Sequence, residues 1–96
     1  MVALNDILNR REEILRIASR HGAHDVRLFG SVVRGEAGKD SDVDFLVRLD
    51  EDRSLIDHIA LAQDLEDFFG CKVDVVTEDA LHRFVRDHVL AEAVPL

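Results

Sequence analysis

Asp42 and Asp44 stand two residues apart, alternating with Val43, Phe45 and Val47. On an extended strand successive side chains point to opposite faces, so both carboxylates project from one face. Held side by side they repel unless a cation sits between them. Mg²⁺ suits such a pair, because it takes oxygen ligands and keeps water and phosphate oxygens in its shell. A solvent-facing strand with polar alternation also produces Asp-x-Asp, so the pair gains weight from its neighbours. Gly30-Ser31 follows the run Val26-Arg27-Leu28-Phe29, where turning backbone N–H groups and a small hydroxyl can meet a phosphate. Gly30 tolerates positive φ and a close ligand, and Arg34 can add a charge-assisted phosphate contact. The plain alternative for Gly30-Ser31 is a strand-ending turn. Asp74, flanked by Val73, Val75 and Val76, is costly to bury alone and should have a partner, either an arginine or the metal site of Asp42 and Asp44.

These residues need a scaffold, and the apolar pattern supplies one. Leu4, Ile7, Leu8, Ile14, Leu15 and Ala18 form the stripe of an amphipathic helix, started by Asn5 or Asp6 and stopped by Gly22. Val26–Phe29 reads as a strand, residues 30–41 as a long loop with room for a helical turn, and Val43–Val47 as a second strand. Ser54 caps a helix with the stripe Leu55, Ile59, Ala62, Leu65 and Phe69, which Gly70 ends. Lys72–Val76 is a third strand. Thr77 then caps a last helix carrying Leu81, Phe84, Val85, Val89 and Leu90. The alternation predicts an α+β fold, a mixed sheet with helices packed on it.

Composition sets the outer limits. A chain of 96 residues has room for one modest core and is expected to form one domain over 1–96. Twelve Lys or Arg against 20 Asp or Glu leave a net charge of −8, which argues against a protein that coats nucleic acid. No apolar run reaches the roughly 18 residues of a membrane span. Cys71 is the only cysteine and reads as a small buried thiol; with no disulfide and no signal-like N-terminus, a cytoplasmic location is expected. The five histidines follow no zinc pattern and read as surface or packing residues.

Gly30-Ser31-Val32-Val33-Arg34-Gly35, followed after a five-residue spacer by Ser41-Asp42-Val43-Asp44-Phe45-Leu46-Val47, resembles the GS-x10-D-x-D signature of the DNA polymerase β-like nucleotidyltransferase superfamily. The short chain, with Asp74 in a third strand and a final helix ending at residues 92–96, is similar to the minimal nucleotidyltransferases (MNT) of that group. The resemblance implies a palm core, a mixed sheet of three to four strands with flanking helices, that binds ATP with two Mg²⁺ ions. It implies that Gly30 and Ser31 hold the β- and γ-phosphates, that Arg34 contacts them, and that Asp42, Asp44 and Asp74 ligate the metals and carry catalysis. For Arg34 a structural pair with Glu36 or Asp40 is the plain alternative.

The reaction so implied is attack of an acceptor hydroxyl on the α-phosphorus, with AMP transferred and pyrophosphate released. The resemblance places the acceptor on a HEPN-domain toxin, a ribonuclease whose tyrosine would be adenylylated, and makes the present chain its antitoxin. Two further readings stay open: a module that silences the partner by binding alone, and a transferase acting on a small molecule.

Overall fold

The computed structural model of the chain describes residues 3–36, 38 and 42–96; Asp40 and Ser41 of the motif lie outside them. The elements in order are α1 (Leu4–Asn9), α2 (Arg11–Arg20), β1 (Ala23–Phe29), α3 (Ser31–Arg34), β2 (Val43–Leu49), α4 (Leu55–Phe69), β3 (Val73–Thr77), a 3-10 turn (Glu78–Ala80), α5 (Arg83–Glu92) and β4 (Val94–Pro95). The sheet has the order β3-β2-β1-β4. β1 runs antiparallel to both β2 and β4, while β2 and β3 are parallel. A parallel pair needs a crossover, and α4 provides it.

The expected alternation in β2 holds. Val43, Phe45 and Val47 are all buried and join Val26 and Leu28 of β1, Val73 and Val75 of β3, Ile14 and Ile17 of α2, and Leu61 and Leu65 of α4 in one cluster. Phe45 is fully buried and lies 6.0 Å from the Phe69 ring, which Phe68 meets edge-on at 5.1 Å. The Arg10 guanidinium covers Phe68 at 4.1 Å. Leu46, on the opposite face of β2, is also fully buried, and Val89 of α5 is buried; neither belongs to that cluster. The α5 side of the sheet is tied down by Glu78, which accepts from Arg27 Nη2 at 2.8 Å and from Arg86 Nη2 at 3.1 Å.

Several expectations need correction. The first helix is two, broken at Arg10, and Asp6 serves its start from inside the first turn by accepting from the Ala3 N–H at 3.3 Å. β1 begins at Ala23, earlier than the apolar run suggests, because a bulge between His24 and Arg27 interrupts the pairing with β2 and Asp25 takes φ +50° there. A bulge adds a residue and breaks the period-2 pattern. In α4 the start and stop are as read: the Ile56 N–H donates to Ser54 Oγ, the Ser54 N–H donates to Asp57, and Gly70 closes the helix at φ +68°. Its first turn, however, turns Leu55 and Ile59 outward at 69% and 51% exposure, since the right helical phase buries a side chain only where an apolar partner lies beneath it. Likewise Thr77 leads into a 3-10 turn, α5 is capped by His82, and Phe84 is 80% exposed. Residues 94–95 are no part of a helix but an edge strand, where proline's missing N–H is tolerated.

Phe45→Ala should therefore cost about 3–5 kcal/mol in urea denaturation, whereas Ile59→Ser should leave the midpoint nearly unchanged. Equal losses from the two would contradict this account of which α4 and β2 residues form the core.

Candidate active site

The site grows from one row of the sheet. Asp44 is paired across β2 with Phe29 at the end of β1 and with Asp74 on β3. Partners in register share a face, and this is the face away from Phe45. Asp42 precedes β2, with Oδ2 3.6 Å from Lys72 Nζ. The backbone thus brings the three sequence-derived carboxylates to one end of the β2–β3 pair. Asp74 is exposed, which overturns the premise that it is buried in its valine run: Val73 and Val75 point to the helix layer and Asp74 points away from it. Neither the Asp74 nor the Asp44 side chain has a hydrogen bond or ion pair among the described residues, so the arginine alternative for Asp74 is not realised.

Asp44 is the strained member. It is half-buried, and its pKa is pushed up to about 6, first by loss of water and then by the charges of Asp74 and Asp42, with Arg34 pulling the other way. Gly30 explains how the carboxylate fits. It ends β1 at φ +81°, in a region that disfavours side chains, and a Cβ there would collide with Asp44 Oδ2 and come within 3.1 Å of its Cγ. The glycine is thus required twice, by the backbone turn and by the carboxylate that occupies the place of its side chain.

Beyond Gly30 the chain turns into α3. The N–H groups of Val33 and Arg34 donate to Gly30 O at 3.1 and 3.2 Å, and those of Ser31 and Val32, as the first in the helix, have no carbonyl behind them to bond. Arg34 ends α3 between two carboxylates: Nε lies 2.9 Å from Glu36 Oε2 and Nη1 lies 2.6 Å from Glu92 Oε1. The Glu36 pair expected as an alternative is present, and these two acids hold the guanidinium above its ordinary pKa. Lys72 and Glu92 were not singled out from the sequence. Lys72 had a signal, since it lies two residues before Asp74 and so on the same face; Glu92 had none, because its partner is far away in the chain.

Among the described residues no three carboxylate, imidazole or thiol groups are drawn together closely enough to enclose an ion. Two surface hollows, one beside α2 and Phe68 and one around Asp50–Arg53 and Thr77–Asp79, include none of the six candidate residues. No helix among the described residues is long and apolar enough to cross a membrane.

Two outcomes test this geometry. Because Asp44 binds its proton more tightly in the folded state, its contribution to stability is fully present below pH 3.8 and is lost as pH rises through about 6. In a chelator, Asp44→Asn should abolish that fall and raise stability at pH 7 by about 1 kcal/mol once screening by water is allowed for; parallel pH profiles of wild type and variant would contradict it. Gly30→Ala should cost about 1–3 kcal/mol from backbone strain and the displaced carboxylate, read by thermal denaturation, and an unchanged Tm would refute the double requirement.

The nucleotidyltransferase domain family matches residues 11–96. The chain is 41% identical over 91 residues to the protein adenylyltransferase MntA of Thermococcus cleftensis, covering 95% of this chain and 90% of that one. A solved structure assigned as a minimal nucleotidyltransferase superposes with a TM-score of 0.88 at 48% identity, over 99% of this chain and 97% of the other. A Shewanella oneidensis complex of a tri-AMPylated HEPN toxin with its MNT antitoxin matches with a TM-score of 0.69 at 19% identity, covering 92% of this chain and 69% of that one, which shows shared fold alone. Since the family match spans residues 11–96, with β1, β2, β3 and every candidate residue inside it, the chain belongs to the nucleotidyltransferase domain family.

Proposed function

We propose that this nucleotidyltransferase transfers AMP from ATP to a hydroxyl of a partner protein, a HEPN-domain toxin, and so acts as its antitoxin. The observation that carries the chemistry is the half-buried Asp44, without a side-chain partner among the described residues, crowded by Asp74 and Asp42 and seated against the Gly30 turn. The naming of a 41% identical relative as a protein adenylyltransferase supports adenylyl transfer, and the AMPylated toxin in the Shewanella complex supports the class of partner.

In this reading Asp42, Asp44 and Asp74 hold Mg²⁺. The fit lies in the donors: three hard carboxylate oxygen sources on one face, one of them destabilised in its charged form until a cation arrives. When bound, Mg²⁺ supplies positive charge against the triphosphate and polarises the reacting oxygens. Gly30 and Ser31 receive the β- and γ-phosphates through the free N–H groups of the turn and the Ser31 hydroxyl, and Arg34 adds a guanidinium donor. The acceptor oxygen attacks the α-phosphorus and forms the new O–P bond. The bond from that phosphorus to the bridging oxygen breaks, and pyrophosphate leaves. Asp74, exposed on the same face, takes the acceptor's proton. Catalysis is mostly positioning and neutralisation of charge.

The test is transfer of labelled AMP from ATP with Mg²⁺ to a HEPN-domain protein. Asp42→Asn/Asp44→Asn should lower the rate by roughly 10³-fold or more, the several kcal/mol expected from losing the metal. Mg²⁺ should also raise the Tm of wild type but not of the double variant. Inhibition of the toxin that survives intact in the double variant, without transfer, would sink the enzymatic reading and leave inhibition by binding.

A further inference from the structure

Arg34 and Glu92 are brought together by tertiary structure alone. Glu92 is the last residue of α5, and the segment after it is pinned to the edge of the sheet. Val94 pairs with Leu28 in the β1–β4 ladder, and the Leu96 N–H donates to Val26 O at 2.9 Å. Its side chain is only 13% exposed, and that carboxylate lies 2.6 Å from Arg34 Nη1. Glu36 takes Nε at 2.9 Å. Among the described residues Nη2 has no hydrogen-bond partner, so the rigid planar fork is gripped at two donors and open at the third.

Electrostatics alone gives no reason for this arrangement. Two carboxylates on one guanidinium leave a net negative group near Asp42, Asp44 and Asp74, where a triphosphate is to bind. Both Glu92 and Asp74 push Asp44 toward its neutral form. Glu92 therefore works against the charge of the site while fixing the plane of its arginine. The long flexible stem of an arginine otherwise samples many rotamers, and holding it in place lowers the entropy lost when it meets a ligand.

We infer that Glu92 is a positioning residue for the nucleotide: by holding Arg34 Nη1 from α5 it keeps the guanidinium oriented, with Nη2 left as the donor for a phosphate of the triphosphate. The inference rests on the nucleotidyltransferase reading of the Gly30 turn. It makes α5 and β4, which carry none of the candidate ligands, part of the nucleotide grip.

Equilibrium binding of a non-hydrolysable ATP analogue with Mg²⁺ tests it without any acceptor protein. Glu92→Ala should weaken binding about tenfold and Glu92→Gln, which keeps a hydrogen bond, about threefold. Binding of AMP, which lacks the β- and γ-phosphates, should change less than twofold in either. In an Arg34→Ala background the further change Glu92→Ala should have no effect on analogue binding, because the group it positions is gone. A merely structural Glu92 would lower Tm and weaken analogue and AMP alike, with or without Arg34, and that result overturns the inference. So does an analogue affinity unchanged in Glu92→Ala. A wild-type protein that binds no analogue overturns the nucleotidyltransferase reading itself, which keeps the two failures apart.

Discussion

A half-buried carboxylate that no side chain among the described residues pairs with sets the terms for the rest of the molecule. Asp44 faces Asp74 across the parallel β2–β3 pair and sits where the side chain of residue 30 would be, so its ionised form is opposed by lost hydration and by like charge at once. Such an arrangement lowers the stability of the folded state, and it persists because the other face of the same strands is a dry layer. Val43, Phe45 and Val47 lie on that face with Leu61 and Leu65 against them, and a core of this kind contributes several times what the crowded carboxylates cost. The dry layer and the candidate carboxylates thus lie on opposite sides of one strand.

Patterns that depend on neighbours along the chain could be read directly. The period-2 run of β2, the Ser54 cap and the Gly70 stop of α4 all follow from local stereochemistry, and the structure has them. What failed depended on what lies across space. Leu55 and Ile59 have the helical phase of core residues yet face solvent; whether a stripe is covered is decided by the extent of the neighbouring layer. The bulge at Asp25 hid the first residues of β1, and β4 is too short, with a proline inside it, to look like a strand at all. Of the candidate site, Asp42, Asp44, Asp74 and the Gly30 turn were visible from residue type and spacing. The second carboxylate on Arg34 was not, since residues 34 and 92 meet only after α5 has crossed back to the sheet edge.

The Arg27–Glu78–Arg86 link gives the α5 side a different character from the helix layer opposite. Glu78 is held below the ordinary carboxylate range, chiefly by its hydrogen bond to Arg27, and Arg27 stands in register with Leu46 in the middle of the sheet. One face of the sheet is thus closed by interdigitating aliphatic and aromatic groups, while the other carries the buried Leu46 and, among the described residues, the Arg27–Glu78–Arg86 ion pairs. Ion pairs of this kind weaken with salt and acid while apolar contacts do not, so the two layers answer to different conditions.

The parallel register of β2 and β3 also separates changes in chain length that the site can absorb from those it cannot. Residues 51–53 join β2 to α4 outside the β2–β3 ladder, so lengthening that bend leaves Asp44 opposite Asp74. A single residue inserted between Gly70 and Val73 has another effect. Taken up as a one-step shift of β3 against β2, it would turn Asp74 into the layer occupied by Phe45 and bring a valine out beside Asp44. The triad of carboxylates is in that sense a reading frame, and the few residues after Gly70 set its phase.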